Sequence, residues 1–302
     1  MQVCDDRHEM PESSLHAPVL DWYAEQARDL PWRRPGTSPW AVLVSEVMLQ
    51  QTPVARVEPA YRAWLERWPT PADLAAEPAG EAVRMWGRLG YPRRALRLHA
   101  AAVQVVQRYG GELPRAYDDL RALPGVGDYT AAAVLSFAFG ERRAVLDTNV
   151  RRVLARAVGG VAQPPPSLGG PERARADALL PDDPAVAARW AVAVMELGAL
   201  VCTAQSPVCN GCPVAAACAW RLAGSPPYDG PMRPAQRWAG TDRQVRGRLM
   251  AVLRERAESD GSAPADEVAA VWADAEQRDR ALAGLLVDGL VVGDPASGYR
   301  LP

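Results

Sequence analysis

Lysine is missing from the 302-residue chain; all 34 of its basic residues are arginine. No side-chain amine is therefore available to form a Schiff base, and the covalent chemistry that depends on one is excluded. An excess of positive charge is missing too. The arginines face 36 acidic residues, for a formal net charge of −2. Nucleic-acid binders are usually basic overall, so any such contact here must be local. Long apolar runs are also absent. "AAAVLSFAFG" is too short to span a bilayer and "WAVAVMELGALVC" carries a glutamate, so no membrane partner is expected. The opening "MQVCDDRHEMPESS" has neither a basic nor an apolar segment, so no secretory signal is expected and the reducing cytoplasm is the expected compartment.

Cysteine is scarce and unevenly placed. Of five, four fall in "VCTAQSPVCNGCPVAAAC": Cys202, Cys209, Cys212 and Cys218, separated by six, two and five residues. In a reducing compartment such a cluster points to metal rather than disulfides. Spacing alone leaves zinc and iron–sulfur open. Structural zinc usually takes two short Cys pairs, and only Cys209 with Cys212 forms one. Cys4 stands apart and is assigned nothing.

Hydrophobic residues make up 48% of the chain, enough for a core. Residues 1–17 read as a flexible tail. Over 18–222 apolar residues recur at helical spacing, which predicts an all-α domain. Residues 223–240 are rich in proline and glycine and read as a linker. Residues 241–302 follow another pattern, three helices and then strand, turn, strand, the plan of a small winged-helix-like domain. Its arginines at 243, 246 and 248 on the first helix and 278 and 280 on the third are expected to add DNA affinity, because the third helix of a winged helix enters the major groove; the alternative is a solvated charged face on a small packing module.

"ALPGVGDYTAAAV" (122–134) places two glycines just before a helix. They permit a tight turn and let backbone N–H groups approach an anion at the helix N-terminus. A bare Gly-x-Gly is equally an ordinary interhelical turn. The longer stretch Leu123–Ala131 is more specific: it resembles the helix-hairpin-helix of the DNA glycosylases related to endonuclease III. That resemblance spans most of 18–222. It implies a helix-hairpin-helix DNA glycosylase fold, DNA contact through Gly125, Val126 and Gly127, and a [4Fe–4S] cluster held by Cys202, Cys209, Cys212 and Cys218, in a loop too poor in apolar surface to order itself.

"SEVMLQQT" (45–52) sets Glu46 among Val42, Leu43 and Leu49, the only charge in an apolar helix. A carboxyl group desolvated in this way holds a proton near neutrality. The segment resembles the adenine glycosylases of the MutY type. The resemblance implies that Glu46 protonates the departing adenine and that Gln50, Gln51 and Thr52 wedge into the duplex beside the opposite base. In "VLDTNVRRVL", Asp147 precedes a helix and is placed to cap it. A capping aspartate is expected to stay ionised, and the resemblance assigns it to an oxocarbenium-like sugar, giving the two-carboxyl logic of glycoside hydrolysis. Tyr129 stands where bifunctional relatives carry a nucleophilic lysine, so strand-cleaving lyase activity is not expected. By the same resemblance Leu30, Trp32 and Arg33 lie near the adenine pocket, and Leu89 and Tyr91 touch an opposite 8-oxoguanine. Arg88 and Pro92 depart from the family pattern, as do Ala191 and Val192, and 241–302 is too short for the Nudix-like domain that typical relatives carry.

The expected function is thus monofunctional excision of adenine opposite 8-oxoguanine or guanine in double-stranded DNA, by a cytoplasmic, nucleoid-associated monomer. The competing readings are a mismatch thymine or uracil glycosylase of the same superfamily and a non-enzymatic iron–sulfur regulator. "SEVMLQQT" argues against the first. The second leaves the Glu46–Asp147 pair without a use.

Overall fold

The structure is a computed structural model that describes residues 12–230, 238–259 and 261–302. Chain clustering divides it into two compact units. One comprises Met1–Thr37 with Asp128–Pro231, the other Ser38–Gly127 with Met232–Pro302. Among the described residues no helix is long and apolar enough to cross a membrane.

A turn of 3-10 helix, Glu12–Leu15, leads into α1 (His16–Gln26). The tail expected over residues 1–17 is corrected at 12–17, where Leu15 is buried in a core with Val19; residues 1–11 lie outside the described residues. Cys4 lies outside the described residues. A second 3-10 turn, Pro31–Arg33, precedes α2 (Pro39–Leu49). The Ser38 side chain caps α2 by accepting from the Ala41 N–H at 3.2 Å, with proline at the first helical position, as helix starts favour. Every residue from Trp40 to Met48 is buried, which is what an all-round apolar helix requires. Then come α3 (Val54–Arg67), α4 (Pro71–Ala75), α5 (Ala79–Trp86), α6 (Arg93–Tyr109) and α7 (Tyr117–Arg121). α4, α5 and α2 pack on α6, over a core where Trp64 meets Trp68 and Trp86 edge to face.

In the other unit α8 (Asp128–Phe139), α9 (Thr148–Ala157), α10 (Gly170–Ala178), α11 (Pro184–Leu200) and α12 (Ala219–Leu222) follow. α11 is its axis and packs on α1, α8 and α9. Val150, Leu154, Trp190, Val194 and Leu197 fill the space between them. Gly198 lets α9 approach closely, since a Cβ there would lie 2.7 Å from the Asn149 Cβ.

The C-terminal segment forms α13 (Asp242–Ala257), α14 (Ala265–Ala270), α15 (Ala275–Val287) and an antiparallel hairpin of β1 (Val292–Asp294) and β2 (Gly298–Arg300). Ala263 bridges Tyr299 beside it. This is the winged-helix-like plan expected, but the segment does not stand alone: it clusters with Ser38–Gly127. Arg254 Nε donates to the Val83 carbonyl at 3.1 Å. Asp288 pairs with Arg246 and, at 3.4 Å, with Arg93. The Pro302 carbonyl occupies the space a Cβ would need at Gly80. The third-helix arginines expected to meet DNA have partners inside the module. Arg280 pairs with Asp242 at 2.9 Å, and Arg278 bonds Asp279 and the Ala269 carbonyl. Of the linker read over 223–240, residues 231–237 lie outside the described residues.

Candidate active site and cysteine centre

In the unit containing Ser38–Gly127, Glu46 is 6% exposed on α2. Four residues on, the helix ends at Gln50, and Gln51 takes a left-handed φ of 56°. Tyr91 does the same with a φ of 47°. Non-glycine residues avoid this region at a cost of about 1 kcal/mol or more, so something must hold both. The holder is Arg94, which sequence reasoning missed. Its Nη1 donates to the carbonyls of Val47, Met48 and Gln50 at 2.8, 3.0 and 2.6 Å. Its Nη2 donates to Thr52 Oγ1 and the Gly90 carbonyl, both at 3.0 Å. Thr52 in turn donates to the Leu89 carbonyl at 3.2 Å. One buried guanidinium thereby gathers Gln50, Gln51, Thr52, Leu89 and Tyr91 into one structure. Burial lowers its pKa to about 10. Leu89 and Thr52 are buried, while Gln51 and Tyr91 face outward. The available signal was the second arginine of "YPRRA".

The hairpin turn runs from Leu123 to Gly127. Val126 N–H donates to the Leu123 carbonyl at 3.1 Å. Gly125 has a φ of +83° and lies against Arg97, leaving no room for a side chain, whereas Gly127 faces open space. Backbone N–H groups at such a turn are accessible to a phosphate.

In the other unit Tyr129 sits on the first turn of α8, packed on Ala133, Val145 and Ala191. Asp147 caps α9: Oδ1 accepts from the Val150 N–H at 2.7 Å and Oδ2 from Asn149 Nδ2 at 2.8 Å. Asn149 is oriented by Arg152, whose Nη2 donates to its Oδ1 at 2.7 Å while Nε donates to the Cys202 carbonyl at 2.7 Å. A continuous chain of hydrogen bonds thus joins the cysteine loop to Asp147. The cap expected at Asp147 is in place. Burial raises the Asp147 pKa, and the bonds from Val150 and Asn149 offset this only in part.

Leu30 and Trp32 are buried. Arg33 is engaged in an ion pair at 2.8 Å with Glu196, a fully buried residue of α11. Arg28 grips the same carboxylate with Nε and Nη2, both at 2.7 Å. Burial pushes Glu196 upward, but the two arginines outweigh it and hold its carboxyl at about 2. Arg33 is therefore bound to a structural carboxylate, whatever it offers a base. Glu196, unassigned from sequence, carried a related signal: it is the one acidic residue of α11, a largely apolar helix whose other charge is Arg189.

Cys202, Cys209, Cys212 and Cys218 line one recess together with Arg156 and Trp220. Arg156 Nη1 donates to Cys202 Sγ at 3.4 Å and to the Thr203 carbonyl at 2.7 Å, and its guanidinium lies 4.9 Å from the Trp220 ring centre. Burial pushes the Cys212 thiol up to about 11 and raises Cys218 as well. Among the described residues, no three acidic, cysteine or histidine side chains converge as ligands of a single ion. A tetrahedral zinc needs four sulfurs at about 2.3 Å from one point. The four cysteines share this recess with one cation, Arg156.

Residues 44–168 match the model of the HhH-GPD superfamily base excision DNA repair proteins. The chain is 53% identical over 274 residues to an adenine DNA glycosylase of Mycolicibacterium smegmatis, covering 90% of this chain and 91% of that one. It is 48% identical over 307 residues to an adenine DNA glycosylase of Mycobacterium tuberculosis, covering 98% of each. A thermostable thymine-DNA glycosylase superposes with a TM-score of 0.64 at 27% identity, over 70% of this chain and 97% of that one. The match to the Mycobacterium tuberculosis relative covers enough of this chain to include most of the C-terminal module. With the hairpin, the "SEVMLQQT" helix and the cysteine loop in place, the chain belongs to the MutY-type adenine DNA glycosylases of the helix-hairpin-helix superfamily.

Proposed function

We propose that this chain is a monofunctional glycosylase that removes adenine paired with 8-oxoguanine or guanine in duplex DNA, leaving an abasic site. The observation that carries this reading is the near full-length identity to adenine DNA glycosylases. In the proposed reaction Glu46 delivers a proton to the departing base as the glycosidic bond breaks. Asp147, ionised, faces the sugar cation. Water adds to the sugar carbon and gives its proton to the Asp147 carboxylate, with Tyr129 beside it. The extruded base is the substrate form common to enzymes that act on bases. Leu30, Trp32 and Arg33 are assigned to the adenine side, and Gln50, Gln51, Thr52, Leu89 and Tyr91 to the opposite strand. Gly125, Val126 and Gly127 are assigned to the backbone. With no lysine in the chain, no side chain forms a Schiff base with the abasic sugar, so the strand stays intact.

Cys202, Cys209, Cys212 and Cys218 are assigned to a [4Fe–4S] cluster. The support is their shared recess and the neighbouring Arg156, whose charge suits thiolate ligands. When bound, the cluster cross-links the loop, and loading displaces thiol protons. The protein is read as a monomer at the bacterial nucleoid.

The test is a panel of end-labelled duplexes carrying A opposite 8-oxoguanine, G or C, and T or U opposite G. Adenine-strand cleavage at the first two pairs, visible only after alkali, is the expected result. Thymine or uracil release would favour the superfamily alternative, and release of no base would favour a regulator. Glu46→Gln is expected to bind the A:8-oxoguanine duplex and to lose ~10²–10⁴-fold in single-turnover excision. Near-normal turnover would remove Glu46 from its role.

A further inference from the structure

The C-terminal module reaches the residue assigned to the opposite strand. Arg243, on the first turn of α13, donates from Nη2 to the Tyr91 hydroxyl at 3.1 Å. Its guanidinium lies 5.2 Å from the Tyr91 ring centre and 5.4 Å from that of Trp238. Tyr91 is 42% exposed and Trp238 52% exposed. Nothing in the assigned chemistry uses these three side chains together. The segment that brings them together is the C-terminal module.

The chemistry of the pair is directional. A guanidinium has only donors, so the phenol oxygen must be the acceptor. Tyr91's own proton is then left to point away from Arg243. Tyr91 presents an O–H donor outward on a backbone already held in a left-handed conformation by Arg94. 8-Oxoguanine carries a carbonyl at C8 where guanine has a C–H, so it offers one more acceptor to such a donor. The exposed faces of Trp238 and Arg243 are suited to stack on bases and to meet phosphate.

We propose that Arg243 is a specificity-determining residue for the base opposite adenine: it polarises Tyr91 as a hydrogen-bond donor toward the extra carbonyl of 8-oxoguanine. With Trp238 it carries the contact with that strand onto the C-terminal module. This rests on the reading that Tyr91, Leu89 and Gln51 face the opposite strand.

The experiment uses the full chain and duplexes whose adenosine bears a 2′-fluorine, which resists glycosidic cleavage. Affinity is measured for A:8-oxoguanine and A:G, beside excision from the unmodified duplexes. Wild type is expected to prefer 8-oxoguanine. Arg243→Gln and Tyr91→Phe should each lower that preference about tenfold, and the double variant should lose no more than either single one, because both remove the same bond. Arg243 is exposed, so its variant should melt with wild type. A preference unchanged in Arg243→Gln, or losses that add in the double variant, would overturn the inference while wild type still excises adenine. A wild type that excises no adenine would overturn the proposed function, and this inference with it.

Discussion

Asp147 and Glu196 are carboxylates of one unit that burial treats alike and neighbours treat differently. At Asp147 burial dominates and the pKa rises; Asn149 is one of the groups pulling it back. Removing that bond should raise it further. The acid limb of single-turnover excision, which requires the ionised form, should therefore move to higher pH in Asn149→Ala, with smaller change on the alkaline side. An unmoved acid limb would detach Asn149 from the titration. At Glu196, Arg28 and Arg33 overcome burial and bring the carboxyl from 4.5 to about 2. A depressed carboxyl contributes stability above its unfolded pKa and loses it as pH falls through the folded one. The contribution should therefore be complete above about pH 4.5 and disappear toward pH 2. Glu196→Gln should flatten the pH dependence of urea stability in that window. It should also cost about 3 kcal/mol at neutral pH, because it strands two arginine charges.

At the scale of elements, the junction between α2 and α6 is organised by Arg94 rather than by a turn motif. The segment after α2 and the loop before α6 contain left-handed non-glycine residues, and neither has local chemistry that prefers this. Arg94 compensates by binding carbonyls from both. A lysine in its place carries the charge but cannot span the same acceptors. Arg94→Lys is expected to lower stability by about 3 kcal/mol and to weaken mispair affinity more than it slows saturated excision. Thermal melts and a binding titration check both halves. A variant that melts with wild type would mean the loops hold themselves.

For the whole molecule, the question is what residues 241–302 contribute to the fold. Their packing on Ser38–Gly127 gives one sharp prediction at Gly80. In a solvent-facing helix Gly→Ala gains up to about 1 kcal/mol. Here a Cβ meets the Pro302 backbone carbonyl, so Gly80→Ala should destabilise the full chain by about 1–3 kcal/mol. The same substitution should be neutral or stabilising in a chain ending at Gly240. That shortened chain should itself melt earlier, since it uncovers Val83 and removes the partner of its carbonyl, Arg254. Equal melting of the two lengths would restore the picture of a detached DNA-binding module.

The sequence by itself determined the helices, the hairpin turn, the cap at Asp147 and the cysteine loop, because periodicity, caps, glycines and ligand spacing are local properties. The burial of Glu46 was left open by sequence, because a glutamate in an apolar helix can also edge out to solvent, and the structure buries it. Which buried charge is neutralised, and by what, was decided only by tertiary structure. Glu196 shares α11 with Arg189, yet the partners that hold it are two arginines supplied by a turn some 160 residues away. The same holds for Arg94, whose acceptors are carbonyls exposed where a helix and a loop end side by side. It holds as well for the C-terminal arginines, whose partners come from other helices and from Tyr91. Charges act through space over a few ångströms, so their meaning depends on which segments the fold brings together.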